Sequence, residues 1–376
     1  MSRYLRKNIA DLEGYVAGEQ PQNGNIIKLN TNENPYPPSP RVLSAIRKAT
    51  DRSLRLYPEP LGDHLRSLAA STYGVRPENV LAGNGSDELL SILARCFVGE
   101  GDQVAYPVPT YTLYDTLIAI QGGKTVRLDY LPGFAVPDGL YSQTAALTFL
   151  CNPNSPSGTL ISLREIERLA RSVSGILVVD EAYIDFAEGE EKSSIPLIRG
   201  LSNLVVLRSF SKSFSLAGLR IGLAFAAEEI IAGMTKVKDS YNVNRLSLVG
   251  ATAALLDLPW MAHNVRRIQR TRKRLVRKLK SMGFQVYPSA ANFVLARKEG
   301  QSLEGVYEEL KRRMILVRYF DVPGLKDSLR ITVGTTQETQ KLLHEMEAIE
   351  NSAYKDRTME KTKTATGSKT SADDSR

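Results

Sequence analysis

A lysine in a serine-rich segment is the residue of this chain whose surroundings most suggest covalent chemistry. Lys212 lies between Ser211 and Ser213, just past an apolar run at residues 203–207, and Arg220 follows eight residues later. Most lysines are solvated at the protein surface. A lysine just past a buried strand can instead lose hydration, which lowers its pKa and leaves the amine able to form a Schiff base.

An acidic side chain ends the next apolar run upstream, at residues 176–179. Asp180 follows this run directly. Ligands of parallel α/β sheets gather at the carboxyl ends of the strands, so Asp180 is a candidate for a buried functional carboxylate. A helix N-cap is the alternative, and the residues immediately around Asp180 favour it when they are taken alone.

A glycine-rich turn at residues 83–88 leads into a helical run at residues 89–93. Free backbone N–H groups at such a helix start can bind a phosphate. A capped helix with Asp87 and Glu88 in its first turn suits the helix dipole equally well, and both interpretations hold if the acidic side chains point elsewhere. An amine, a carboxylate and phosphate donors are together the parts that a pyridoxal cofactor requires.

The elements that position these residues are read from apolar runs that alternate with helical patterns. Strands are expected at residues 103–106, 146–150, 176–179, 203–207 and 222–225. Continuous apolar strands separated by helices predict a mostly parallel sheet that is covered on both faces. Beyond residue 261 we expect a long basic helix, a strand at 291–296, a helix at 304–313 and strands at 315–318 and 329–333, which form a smaller α+β domain.

Four segments follow from this pattern. We expect an N-terminal arm at residues 1–34 that packs on the small domain, a large cofactor-binding domain at 35–260, the small C-terminal domain at 261–350 and a tail at 351–376. The tail is low in apolar residues and rich in lysine, threonine and serine, so it cannot bury enough surface to order itself and is expected to be disordered.

Composition restricts the class of protein. Hydrophobic residues make up 42% of the chain and charged residues 24%, which is the balance of a globular protein. No apolar run approaches the ~20 residues that cross a bilayer, and the basic start lacks the apolar stretch of a signal peptide. We therefore expect a cytoplasmic protein. Cys96 and Cys151 match no zinc or disulfide framework and are expected to be buried thiols.

The net charge of +8 raises the question of nucleic-acid binding. Much of the charge lies at residues 266–280, where Val265, Ile268, Leu275 and Leu279 recur at helical spacing. This pattern predicts an amphipathic helix with a solvated basic face. No aromatic residues are interleaved with the charges, so a nucleic-acid partner is only a minor alternative.

Residues 209–220, Ser-Phe-Ser-Lys-Ser-Phe-Ser-Leu-Ala-Gly-Leu-Arg, resemble the lysine signature of the fold-type I aminotransferases, which depend on pyridoxal 5′-phosphate (PLP). The similarity covers most of the chain. It implies an α/β fold whose large domain has a mostly parallel sheet of the seven-stranded type beside a smaller α+β domain. It also implies that Lys212 carries PLP as a Schiff base, with Arg220, Ser209 and Ser211 at the cofactor phosphate.

The resemblance implies further contacts with the cofactor. These are Asp180 at the pyridine nitrogen, Tyr183 and Asn154 at the ring hydroxyl, Tyr111 on the ring face, and Gly85, Ser86 and Asp87 at the phosphate. Residues 152–158 resemble the family's Asn/Pro/Thr/Gly turn, except that serines stand at positions 155 and 157. Asn154 is the expected partner of the ring hydroxyl, with Asn152 left open.

The histidinol-phosphate branch of this family is the most similar. Arg330 resembles the arginine that holds the substrate anion throughout the family, and Arg318 resembles a second arginine of this branch, whose substrate ends in a phosphate. A surface ion pair is the alternative for such arginines. Tyr15 is implied to close over the substrate, and Tyr57 to reach the cofactor phosphate of a neighbouring subunit, which implies a homodimer with shared sites.

The activity implied by this branch is transamination between L-histidinol phosphate and 2-oxoglutarate in histidine biosynthesis. Threonine-phosphate decarboxylation and transamination of aromatic amino acids are the alternatives on the same fold. Both use small-molecule substrates, and no membrane or nucleic-acid partner is expected.

Overall fold

The computed structural model describes residues 4–12, 14, 18–20, 26–189 and 192–367. Its strands are β1 (Ile27–Lys28), β2 (Val80–Gly83), β3 (Gln103–Val108), β4 (Lys124–Asp129), β5 (Leu147–Cys151), β6 (Ile176–Asp180), β7 (Leu204–Ser209), β8 (Gly222–Phe225), β9 (Gln285–Val286), β10 (Phe293–Arg297), β11 (Ile315–Leu316), β12 (Arg318–Tyr319) and β13 (Ser328–Thr332). Its helices are α1 (Lys7–Ala10), α2 (Pro40–Ala49), α3 (Asp63–Tyr73), α4 (Ser86–Phe97), α5 (Leu113–Gln121), α6 (Leu163–Ser172), α7 (Glu228–Val237), α8 (Arg245–Leu255), α9 (Leu258–Ser281), α10 (Glu304–Arg312) and α11 (Thr336–Gly367).

The large sheet has seven strands in the order β2-β8-β7-β6-β5-β3-β4. All neighbours are parallel except β8, which is antiparallel to both β2 and β7. Every residue of β5 and β7 is buried, as expected of central strands that are covered on both faces. The mostly parallel sheet predicted from the sequence is confirmed, although β2 and the edge strand β4 were not anticipated.

Two layers of helices cover this sheet. Buried side chains of α4, α5 and α7 form one core against it, and those of α2, α3, α6 and α8 form a second core. Because parallel connections need such crossovers, the chain returns repeatedly to the same edge of the sheet. The carboxyl ends of β5, β6 and β7 therefore lie together.

A second unit is built on the antiparallel sheet β12-β13-β10-β9, with α9, α10 and α11 packed on a core of its own. The N-terminal segment divides between the two units. β1 pairs in parallel with β11 of the smaller unit, whereas Asn8 Nδ2 donates a hydrogen bond at 2.8 Å to the Ala119 carbonyl oxygen on α5 of the large unit.

α11 continues to Gly367, beyond residue 351 where the tail is predicted to begin, and residues 368–376 lie outside the described residues. Two expectations need correction. Arg272 does not belong to the solvated face of α9. It is buried and donates to the carbonyl oxygens of Phe186 at 3.1 Å and Ala291 at 2.6 Å, which satisfies its guanidinium group away from solvent. Cys96 is only partly buried, whereas Cys151 is buried as expected.

Within the described residues, no helix is both long enough and apolar enough to span a membrane.

Candidate active site

A cavity opens where the carboxyl ends of β5, β6 and β7 meet the start of α4 and the sheet of the smaller unit. Most of the predicted site residues line it: Ser86, Asp87, Tyr111, Asp180, Tyr183, Ser209, Ser211, Lys212, Arg220, Arg318 and Arg330. Of the other predicted residues, Gly85, Asn154 and Tyr57 are not in its lining, and Tyr15 lies outside the described residues. The fold thus brings together residues that are up to 244 positions apart, from Ser86 to Arg330.

Lys212 reaches the cavity from the loop between β7 and β8. Its Nζ donates to the Thr31 carbonyl oxygen at 3.2 Å and lies 5.7 Å from the centroid of the Tyr183 ring. Asn34 Nδ2 holds this loop by donating to the Lys212 carbonyl oxygen at 3.1 Å. Burial lowers the pKa of the Lys212 amine to about 8, and the nearby Arg330 charge acts in the same direction. The amine is therefore more easily neutral than that of a solvated lysine.

Asp180 ends β6 and is buried. Its Oδ1 accepts a hydrogen bond from the Ala182 N–H at 3.0 Å. The helix N-cap alternative is wrong, because the next helical turn begins only at Ile184. Burial raises the pKa of the Asp180 carboxyl to about 7. A cationic group placed against this carboxyl would restore its charge.

The start of α4 forms one end of the cavity together with Arg220. Arg220 Nη2 donates to Asp87 Oδ2 at 3.0 Å, and its Nη1 donates to Ser211 Oγ at 3.3 Å. The expectation that Asp87 points elsewhere is wrong, since its carboxylate holds Arg220 and also accepts from Tyr111 Oη at 3.1 Å. The Gly85 N–H donates to the Gly83 carbonyl oxygen at 2.9 Å. First-turn N–H groups, which have no acceptor within a helix, start at Ser86.

Gly222 on β8 packs closely against the backbone at the start of α4. A Cβ at position 222 would lie 2.7 Å from Ser86 N and 2.8 Å from the Gly85 carbonyl carbon. Neither backbone atom can move aside cheaply. The close approach of β8 to the start of α4 therefore requires a glycine.

Two arginines form the opposite end. Arg318 and Arg330 are direct partners on the antiparallel strands β12 and β13, so their side chains lie on the same face of the sheet. Their guanidinium carbons lie 5.4 and 5.6 Å from the centroid of the Phe320 ring. Arg330 also donates to Ser155 Oγ at 3.0 Å and to the Asn30 carbonyl oxygen at 2.8 Å. Like charges directly opposite each other repel, and a bound anion would relieve that repulsion.

The two asparagines of the 152–158 turn have different surroundings. Asn152 contacts the backbone of Ile161 through both Oδ1 at 2.8 Å and Nδ2 at 3.1 Å. Asn154 Nδ2 donates to the Pro109 carbonyl oxygen at 3.3 Å and to Ser157 Oγ at 3.0 Å, and its Oδ1 accepts from Thr110, which lines the cavity, at 3.1 Å. Both side chains are held within the protein, and that of Asn154 is the one hydrogen-bonded to a residue of the cavity lining.

Tyr57 is not part of the cavity lining of its own chain. It is 79% exposed and stacks on Tyr241 with the ring centroids 4.4 Å apart. An exposed aromatic pair of this kind is available to another molecule.

Residues 24–346 of the chain match the family described as aminotransferase class I and II. The chain belongs to this family. The similar proteins include histidinol-phosphate aminotransferase 1 of Nostoc sp., which is 43% identical over 345 residues, or 91% of this chain and 97% of the relative. They also include the histidinol-phosphate aminotransferase of Citrifermentans bemidjiense, which is 46% identical over 347 residues, or 91% of this chain and 98% of the relative.

Among solved structures, histidinol-phosphate aminotransferase from Sinorhizobium meliloti in complex with pyridoxal 5′-phosphate is similar to this aminotransferase, with a TM-score of 0.87 and 25% sequence identity. The match covers 94% of this chain and 99% of that chain. The fold-type I architecture predicted from the sequence is confirmed, and PLP is the cofactor of this aminotransferase.

The cavity of this aminotransferase fits PLP. Lys212 offers an amine of lowered pKa, and Asp180 offers a buried carboxyl whose charge a pyridinium nitrogen would stabilise. The start of α4, where backbone N–H groups suit a phosphate, lines the cavity at Ser86 and Asp87.

Sequence reasoning missed several residues of this site. Thr31, Asn32 and Glu33 line the cavity, although the segment that contains them was interpreted only as part of the N-terminal arm. Phe320 and Ser155, which contact the arginines, were also missed. The polar residues at 30–34 were the signal that could have indicated this part of the site. Several side-chain amides in a short extended stretch need hydrogen-bond partners, which a binding site can supply.

Proposed function

We propose that this aminotransferase transfers the amino group between L-histidinol phosphate and 2-oxoglutarate, giving imidazole-acetol phosphate and L-glutamate, a reaction of histidine biosynthesis. The opposed pair Arg318 and Arg330 at the end of the cavity is the observation that carries this proposal. Two guanidinium groups suit a phosphate dianion better than one, by charge and by the number of donors. The names of the similar proteins support the same substrate.

Bound PLP acts as an electron sink that acidifies the amino-bearing carbon of the substrate. Lys212 Nζ, which holds the cofactor between turnovers, takes the proton from that carbon. Asp180 keeps the pyridine nitrogen protonated. Arg330 binds the anionic end of both substrates, a carboxylate in one half-reaction and a phosphate in the other, and Arg318 adds a second contact to the phosphate.

The remaining roles are assigned by position. We propose that Tyr183 and Asn154 serve the ring hydroxyl and that Tyr111 covers the ring face. The cofactor phosphate is held by the N–H groups at Ser86 and Asp87 together with Ser209, Ser211 and Arg220. Gly85 shapes the turn before α4, since its own N–H is occupied.

We also propose a cytoplasmic homodimer in which Tyr57 reaches the cofactor phosphate of the partner subunit and Tyr15 closes over the substrate. The exposure of Tyr57 and its absence from the cavity lining of its own chain support the shared site. The separate cores of the two units support a large domain at residues 35–260 and a small one at 261–350.

The test mixes purified holoenzyme with L-histidinol phosphate alone and follows the cofactor spectrum. Conversion of the cofactor to its amine form is expected, followed by reversal on addition of 2-oxoglutarate. An unchanged spectrum with L-histidinol phosphate, together with release of carbon dioxide from threonine phosphate, would falsify the proposal in favour of a decarboxylase.

A further inference from the structure

Asn32 is a buried residue where the N-terminal segment, the smaller sheet and Tyr183 meet. It is 1% exposed, and its backbone is left-handed with a φ of 58°. Its N–H donates to Thr332 Oγ1 at 3.0 Å, and its carbonyl oxygen accepts from Asn292 Nδ2 at 2.9 Å. These two hydrogen bonds use the backbone of Asn32 and fix its position. The side-chain amide remains available for hydrogen bonds of its own.

The hydrogen bonds around Asn32 determine the positions of its side-chain Oδ1 and Nδ2 atoms. The Thr332 hydroxyl accepts the Asn32 N–H and donates its own proton to Asn32 Oδ1 at 3.0 Å. The other end of the amide is therefore Nδ2, which can only donate. It does so to Tyr183 Oη at 3.1 Å. Proton donation thus runs in one direction, from Thr332 through Asn32 to Tyr183.

Tyr183 consequently accepts one hydrogen bond and still has its own proton to donate. Its ring lines the cavity next to Lys212. In the part of the chain that the structure describes, no hydrogen bond donated by Tyr183 Oη is found. The open direction for this proton is the cavity.

We propose that Asn32 is a positioning residue that directs the Tyr183 hydroxyl proton into the cavity, toward the ring hydroxyl oxygen of the cofactor. The inference rests on the role of Tyr183 proposed above. A hydrogen bond donated to that oxygen stabilises its anion and weakens its hold on the proton of the neighbouring Lys212 nitrogen. Asn32 thereby keeps the pKa of the Lys212 nitrogen bound to the cofactor low by acting through the Tyr183 hydroxyl.

Other titratable groups face Tyr183 and Lys212 and contribute to the titration of the cofactor bound between them. Arg330, Asp180 and Cys151 act on Tyr183, and Lys212 is in addition acted on by Glu33, Asp87 and Arg220. None of these groups is changed by substitutions at positions 32 and 183. Differences among such variants therefore report on the contact between Asn32 and Tyr183.

The experiment is a double-mutant cycle on the holoenzyme without substrate, with the pH midpoint of the cofactor's visible absorbance as the readout. Tyr183→Phe removes the donor and is expected to raise the midpoint by about one to two pH units. Asn32→Asp presents only acceptors to Tyr183, so the hydroxyl turns away from the cofactor and the midpoint is expected to rise similarly. In the Tyr183→Phe background, Asn32→Asp should have a much smaller effect.

The two backgrounds separate the possible outcomes. An equal effect of Asn32→Asp in both would overturn the inference, because it would show a simple effect of the added charge. An unchanged midpoint in Tyr183→Phe would instead overturn the proposed role of Tyr183, on which the inference depends. A normal midpoint in Asn32→Asp beside a raised one in Tyr183→Phe would reject the inference alone.

Thr332→Val keeps the inference testable if Asn32→Asp does not fold. It removes the hydroxyl that fixes the Asn32 amide, so the amide can turn over and present Oδ1 to Tyr183. A raised midpoint is expected only while Tyr183 is present. Thermal unfolding and cofactor content are measured for every variant, and an unchanged midpoint in well-folded Thr332→Val contradicts the inference.

Discussion

Substitution of Arg318 by glutamine removes one of the two cations at the end of the cavity. Within the described residues, no carboxylate lies at ion-pair distance from Arg318, so the substitution breaks no salt bridge there. Its partner across the strands, Arg330, keeps its contacts with Ser155 and Asn30. The cavity should therefore keep its shape and lose one positive charge.

The size of the effect depends on the substrate. A hydrogen bond to a charged group contributes about 1.5–3 kcal/mol, which corresponds to about a 10- to 150-fold loss of kcat/KM. We expect a loss of this size for L-histidinol phosphate, whose phosphate uses both arginines. For glutamate, whose carboxylate is held by Arg330, we expect a loss below about fivefold, as for a screened surface charge.

Single-turnover absorbance of the cofactor measures the two half-reactions separately, with each amino donor in turn. Arg297→Gln is the control, because Arg297 lies on β10 of the same sheet and pairs with Asp327 at 2.7 Å, outside the cavity lining. It should leave both half-reactions unchanged. Equal losses for the two donors in Arg318→Gln, or no loss with L-histidinol phosphate, would refute the proposed division of roles.

Three further outcomes are expected. Lys212→Ala should abolish the absorbance of covalently held cofactor and lower turnover by more than about a hundredfold; retained turnover in a stopped assay would remove Lys212 from the mechanism. Gly222→Ala should destabilise the fold by about 1–3 kcal/mol and weaken cofactor binding, because the added Cβ would clash with backbone atoms. Gly218→Ala is the control, since a Cβ at position 218 meets nothing within 4 Å, and it should change neither thermal unfolding nor cofactor affinity. Burial lowers the pKa of the Lys212 amine to about 8, so the neutral amine predominates above that pH. The rate at which the apoprotein captures PLP should therefore rise with pH through a midpoint near 8. A midpoint near the pKa of a solvated lysine, about 10.4, would contradict the effect of burial.

The sequence by itself determined the central chemistry and the type of sheet. Apolar runs of strand length are local signals, and a polar residue at the end of such a run marks the edge where ligands bind. Lys212 and Asp180 were found in this way and do line one cavity. The edge strand β4 was missed because none of its residues is buried, so it lacks the continuous apolar run of a central strand.

Only the tertiary structure decided which distant residues meet. The opposition of Arg318 and Arg330 depends on the register between β12 and β13, and a shift by one residue would turn one side chain to the other face. Asn32 lies 300 positions from Thr332, its hydrogen-bond partner, and no local pattern links the two. The burial of Arg272 depends on the carbonyl groups of Phe186 and Ala291, which lie 86 and 19 positions away along the chain. Such contacts are non-local, so they exist only once the chain has folded.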